Sequence, residues 1–77
     1  MQELFECANS NKGWAAQRAQ MALQIAEALQ NGQIGQSEAR ELLEDLVRTD
    51  KLDAEADDMH LKAMLVTGIY GIIQVCG

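Results

Sequence analysis

Asp53, Asp57, Asp58 and His60 are the residues of this chain whose types and spacing come nearest to a metal site. Asp57 and His60 are three positions apart, so on a helix their side chains lie on one face. Carboxylates and an imidazole together suit a divalent cation. However, no second histidine and no cysteine stands nearby, and acids are equally typical of the first turn of a helix. We therefore predict a helix start here, with no metal.

The connection Asn31-Gly32-Gln33-Ile34, followed by Glu38, is similar to the second half of an EF-hand loop. In such a loop a glycine makes the turn at position 6, and a glutamate closes the calcium site at position 12. Counting back, positions 1 and 3 are Glu27 and Leu29, and leucine has no oxygen to offer. We predict an ordinary connection between two helices and no calcium.

The other groups that could do chemistry are two cysteines and scattered hydroxyls. Cys7 and Cys76 stand near opposite ends of the chain, and a bridge between them would contribute about 4 kcal/mol in the chain-entropy model. Three helices keep the two ends apart unless the first segment folds back, so free thiols are favoured while pairing stays open. Neither cysteine has an evident base, and one histidine would have to serve any triad. The sequence predicts no catalytic residue, no cofactor and no enzyme.

The chain contains no proline and is rich in alanine, leucine, glutamine and glutamate, which are good helix formers. It predicts three main helices, at 12–30, 38–49 and 54–75, and allows a short one over Gln2–Ala8. The predicted boundary residues are Ser10 or Asn11, Asn31-Gly32, Gly35 or Ser37, and Thr49 or Asp53.

The middle helix has the clearest pattern. Its apolar residues recur at i, i+3, i+4, i+7 and i+8, which is typical of an amphipathic helix with one buried face: Ala39, Leu42, Leu43, Leu46 and Val47. Charged residues occupy the other face, and Glu44 with Arg48 forms a favourable i,i+4 pair.

The last quarter of the chain is uncharged after Lys62 and is apolar on every face of a helix. Its β-branched residues, with Gly68 and Gly71, also allow a strand. A hairpin would need partner strands, and no other stretch predicts one, so we favour a helix. The predicted fold is therefore all-α: a small three-helix bundle forming a single helical domain over 1–77, with the hairpin 12–30/38–49 packed on an apolar C-terminal helix 54–75.

Two amphipathic helices cover only part of a helix that is apolar all round. We therefore predict self-association, or a place as a small subunit in a larger complex, with a protein partner at the uncovered part. The flat glycine face and the bulky isoleucine face are the candidates. For Trp14 the sequence allows two roles. It is either a core residue with its indole N–H at the rim, or an anchor of an interface. The predicted interface residues are Trp14, Gly68, Ile69, Gly71, Ile72 and Ile73.

The formal charge of −6 argues against direct binding of nucleic acid. It permits an alternative function, that of an acidic antagonist occupying a basic, nucleic-acid-binding surface of another protein. Glu3 and Glu6 stand where a secretory signal would carry basic residues, which favours a cytoplasmic location. The apolar segment is shorter than the about 20 residues that a membrane span needs. The leading prediction is a non-enzymatic interaction or assembly module, such as a small accessory protein.

Overall fold

The computed structural model describes residues 2–48 and 50–76. These residues form five helices and no strand: α1 Gln2–Ala8, α2 Gly13–Gln30, α3 Gln36–Arg48, α4 Asp50–Glu55 and α5 Met59–Cys76. The all-α prediction is confirmed, together with the short N-terminal helix and the helical state of the apolar C-terminal segment.

Helix α2 ends where the sequence predicted. Gly32 has a φ of 75°, a left-handed conformation that glycine adopts without steric cost. The N–H of Gly32 donates to the carbonyl of Leu29 at 3.2 Å, and the N–H of Gln33 donates to the carbonyl of Ala28 at 2.9 Å. This pair of bonds is the Schellman motif, which satisfies the last carbonyls of the helix.

The start of α2 differs from the prediction, which placed the cap at Ser10 or Asn11. The N-cap is Lys12, with an extended backbone and no side-chain capping bond. The preceding polar residues close α1 instead: the Asn9 side-chain amide donates to the Phe5 carbonyl at 2.9 Å, and the Ser10 N–H donates to the Cys7 carbonyl at 3.1 Å. The predicted capping residues therefore belong to the turn between the helices.

The predicted helix 54–75 is in fact two helices, because the chain leaves helical structure between Glu55 and Met59. Asp58 is the N-cap of α5, and its Oδ1 accepts a hydrogen bond from the Leu61 N–H at 3.0 Å. Asp53, a predicted cap, lies inside α4 instead. The other predicted cap, Thr49, lies outside the described residues. Gly35 precedes α3 as expected, and its carbonyl accepts from the Ala39 N–H at 3.0 Å.

Helices α2 and α5 run side by side in the same direction, since Trp14 meets Asp57 at one end while Leu29 and Ile72 line one cleft at the other. Helix α3 lies against both, and α1 packs on both as well. The core takes the apolar face of α3, the inner face of α5, two residues each of α1 and α2, and one of α4: Leu4, Cys7, Ala19, Ala22, Ala39, Leu43, Leu46, Leu52, Leu65, Ile69, Ile72 and Ile73.

The radius of gyration is 11.6 Å, close to the roughly 11.5 Å expected for a compact folded chain of this length. Among the described helices, none has the length and apolarity needed to cross a bilayer.

Candidate interaction surface

Helix α1 fills half of a groove between α2 and α5. Leu4 packs directly on Gly68: a Cβ built on that glycine would lie 2.8 Å from Leu4 Cγ. Cys7 lies near the start of α5, with its Sγ 3.9 Å from the Leu61 carbonyl oxygen. Helix α1 therefore runs antiparallel to α5. Its seven residues span about 10 Å, whereas the 18 residues of α5 span about 27 Å.

The other half of this groove is an open cleft with a volume of about 630 Å³. It begins at Gly68, beside the first turn of α1, and continues along the C-terminal halves of both long helices. The lining residues are Ala26, Leu29, Gln30, Gln36, Gly68, Gly71, Ile72 and Val75. None of them carries a charge, and most of the exposed lining surface is apolar. Such a surface suits an apolar side chain or helix rather than an ion.

The solvent-facing side of α5 adjoins this cleft and is also uncharged. From Ala63 onward, its exposed residues are Ala63, Thr67, Tyr70, Gly71, Gln74 and Val75. Val75 is 80% exposed, and Tyr70 is 42% exposed. Gly71 and Val75 belong to both the cleft and this face. We call the cleft and this face together the α5 surface.

The six predicted interface residues occupy different environments within the chain. Ile69, Ile72 and Ile73 are buried in the core, and Gly68 is covered by Leu4 of the same chain. Gly71 is exposed, with nothing within 4 Å of the position of a Cβ. The close approach expected at the glycines of α5 is therefore made at Gly68, from within the chain. Contact with a partner stays a prediction for all six residues.

Trp14 is half-buried against the core, and its indole N–H donates to Asp57 Oδ1 at 3.0 Å. Lys12 Nζ lies 3.0 Å from Asp57 Oδ2. The hydrogen bond from Lys12, followed by that from Trp14, lowers the pKa of the Asp57 carboxyl below its usual value. Trp14 therefore packs against the core, with the polar edge of its indole at the rim.

The other acids around the α4–α5 connection are also engaged within the chain. Glu55 Oε2 pairs with Arg18 at 3.0 Å, and Asp53 Oδ1 pairs with Lys62 at 2.6 Å. Among the described residues no group of three or more acids, histidines and cysteines is placed to hold a metal ion. The acids at this connection therefore form ion pairs with side chains of the start of α2 and of α5.

Cys7 is a buried free thiol. Burial raises its pKa, with Glu6 and Glu3 adding to the effect, so the nucleophilic thiolate is disfavoured. Cys7 lies beside Leu61, and the helical rise places the backbone of Cys76 about 22 Å further along α5. A disulfide needs Cα atoms within about 7 Å, so the fold keeps these two cysteines of one chain apart.

The sequence offered the segment around Leu4 and Phe5 as an alternative cover for the apolar C-terminal helix within one chain, but it did not predict the contact with Gly68. Leu4 is fully buried, whereas its neighbour Phe5 is 55% exposed. The one local signal was Gly68, a glycine within an apolar helix, which is typical of close contact with another element. Comparison with protein-family models, curated proteins and solved structures gives no match to this chain.

Proposed function

We propose that this protein is a non-enzymatic interaction module that assembles with itself or with a protein partner through the α5 surface. The observation that carries the proposal is the half-filled groove. Helix α1 covers Gly68 with Leu4, but beyond that point the aliphatic walls of α2 and α5 stay open to solvent. Covering apolar surface of this kind with a second apolar surface lowers the free energy, because both surfaces are removed from water.

The shape of the cleft supports a helix as its occupant. Leu4 of α1 shows how closely a helix approaches α5 when the contact residue is glycine. Gly71 offers a second such position, and it is open. Small residues at a helix surface allow a neighbouring helix to lie near, so that its side chains reach the groove floor.

The acidic-antagonist alternative has less support. Asp53, Glu55 and Asp57 pair with cations of the same chain, so they are not an unpaired acidic stripe. The exposed acids Glu38, Glu41 and Asp45 of α3 share that helix with Arg40 and Arg48. A surface that mimics the regular phosphates of nucleic acid needs a denser run of one sign.

The test is affinity capture from the native host, with self-association included by using two differently tagged copies. Three baits are compared: wild type, Gly71→Leu and Gly13→Leu. Both glycines are helical and exposed, and at neither would an added Cβ have other atoms within 4 Å. Leucine at 71 fills the cleft, whereas leucine at 13 lies at the far end of α2.

We expect a protein, or the second copy, that is retained by wild type and Gly13→Leu and lost from Gly71→Leu. Retention that is insensitive to Gly71→Leu would contradict the proposal. The salt dependence of capture distinguishes the proposed function from the acidic-antagonist alternative. An acidic antagonist should lose its basic partner steeply as ionic strength rises, whereas a partner bound through apolar contacts should stay bound.

A further inference from the structure

We infer that α1 is a lid on the groove beside α5: it detaches from α2 and α5 while the other helices stay packed, and so lengthens the open cleft. This inference goes beyond the proposed function, because it does not depend on which molecule occupies the cleft. Gly68 joins the two parts of the groove, since it lines the cleft and also lies against Leu4 of α1. The lid is therefore directly next to the open part.

The attachment of α1 to the core is smaller than that of α3 or α5. Of its seven residues, Leu4 and Cys7 are fully buried, and the other described core residues belong to α2, α3, α4 and α5. Helix α3 packs on both α2 and α5, so those contacts persist when α1 leaves. An element with few buried side chains opens at a lower free energy than the whole fold.

Helix α1 also depends on this attachment for its helical state. It has seven residues, fewer than the about 12–15 that an isolated helix needs to be even marginally stable in water. The detached segment therefore loses its helical structure, and the conformational entropy that it regains favours the open state. Docking and helix formation of α1 are thus one event.

The connection between α1 and α2 allows this movement. The Asn9 side-chain amide donates to the Phe5 carbonyl at 2.9 Å, within the α1 end of the connection. At the α2 end, Lys12 Nζ lies 3.0 Å from Asp57 Oδ2. The chain can therefore turn between these two contacts, near Asn11, without breaking the ion pair that ties the start of α2 to the α4–α5 connection.

Opening of the lid exposes a defined stretch of α5. Leu4 lies against Gly68 and Cys7 lies beside Leu61. Gly68 and Leu61 are seven positions apart, which is about 10 Å along a helix. The cleft, which reaches Val75 at its other end, then becomes one groove of about 21 Å from Leu61 to Val75. The open state thus accepts a longer apolar segment than the closed state.

The Cys7 thiol reports the position of the lid, because it is fully buried while α1 is docked. N-ethylmaleimide reaches a buried thiol only when the structure around it opens, so the labelling rate of Cys7 measures the population of the open state. Mass spectrometry of proteolytic peptides distinguishes label on Cys7 from label on Cys76. The full chain is compared as wild type, Leu4→Ala and Leu43→Ala. Both leucines are fully buried, one in α1 and the other in α3.

We expect Leu4→Ala to accelerate Cys7 labelling at least about 10-fold, because it removes a contact that only the closed lid makes. Leu43→Ala should change the rate less than about 3-fold, since its contacts persist in the open state. Circular dichroism checks that both variants are folded. In the wild type, low concentrations of urea should accelerate labelling much less than they promote global unfolding, because release of α1 exposes little surface.

A milder pair of variants tests the same contact without truncating the core. A Cβ at position 68 would lie 2.8 Å from Leu4 Cγ, whereas at position 71 it would have no other atoms within 4 Å. Opening of the lid relieves the overpacking in Gly68→Ala, so this variant should accelerate Cys7 labelling at least about 5-fold. Gly71→Ala should leave the rate within about 2-fold of wild type.

Equal acceleration by Leu4→Ala and Leu43→Ala would overturn the inference, because Cys7 would then become accessible only when the whole fold opens. A wild-type labelling rate that rises with urea as steeply as global unfolding would overturn it as well, as would no acceleration by Leu4→Ala. These outcomes leave the proposed function untouched, since that is decided by whether Gly71→Leu abolishes capture. Capture that is insensitive to Gly71→Leu would, in turn, leave the lid in place.

Discussion

Leu4 and Gly68 are in contact so close that the glycine has no room for a Cβ. Such an atom would lie 2.8 Å from Leu4 Cγ and 3.0 Å from Leu4 Cδ2. Leu4 is fully buried, so its side chain has little space into which to move. This contact attaches α1 to α5, and it also marks the point where the groove changes from filled to open.

Gly68→Ala and Gly71→Ala should have opposite effects on stability. Alanine favours a helix over glycine by up to about 1 kcal/mol, but at 68 it also overpacks the contact with Leu4, which typically costs about 1–3 kcal/mol. We expect Gly68→Ala to destabilise the fold by about 1 kcal/mol and Gly71→Ala, in open space, to stabilise it by about 0.5–1 kcal/mol. Urea unfolding at low micromolar concentration, where association contributes little, measures both. Stabilisation by both substitutions would mean that α1 does not pack on Gly68.

Helix α3 should respond to substitution on one face and tolerate it on the other. Leu43 is fully buried, and truncation of a buried leucine to alanine costs about 2–5 kcal/mol. Glu41 is exposed on the same helix, so Glu41→Ala should change the unfolding free energy by less than about 0.5 kcal/mol. Chemical denaturation of the two variants provides the comparison. Equal losses would show that this helix is not buried on the leucine side.

The Asp57 cluster should make stability depend on pH. The pKa of Asp57 is lowered in the folded state from its usual value of 3.8, so its carboxylate stabilises the fold at pH values above 3.8. This contribution is lost as the pH falls through the lower folded-state pKa. Asp57→Asn removes the ion pair with Lys12, and it should therefore be less stable than wild type at neutral pH.

The difference between Asp57→Asn and wild type should shrink as the pH falls below 3.8. Trp14 fluorescence reports unfolding next to the cluster, because its indole donates to Asp57. Asp45→Asn, an exposed change on α3, controls for the loss of one negative charge. A difference between Asp57→Asn and wild type that is the same at every pH would show that the carboxylate charge contributes nothing.

The sequence predicted those features of the fold that depend on local chemistry. The apolar spacing from Ala39 to Val47 predicts α3, and the Asn31-Gly32 pair predicts the end of α2. Both are properties of a few consecutive residues, namely helical periodicity and the left-handed turn that glycine tolerates.

Features that depend on distant parts of the chain could not be predicted in this way. Nothing near Leu4 specifies Gly68 as its partner, and the open cleft is lined by residues of three helices that are distant in sequence. The break before α5 was missed because Asp53 and Asp58 are both acceptable caps. In the fold Asp53 pairs with Lys62, and Asp57 accepts hydrogen bonds from Lys12 and Trp14, so the region is engaged by residues that a local pattern does not include.

The most direct test of the central claim is an isotope-filtered nuclear Overhauser experiment on a mixture of ¹³C-labelled and unlabelled chains at about 1 mM, where even a dimer with a dissociation constant of about 100 μM is well populated. It detects protons of one copy that lie close to protons of the other. We predict intermolecular signals from the Val75 methyls to the Ala26 and Leu29 methyls that line the cleft. Signals confined to side chains on the outer face of α3 would contradict the account, as would the absence of intermolecular signals together with partner capture that Gly71→Leu leaves unchanged.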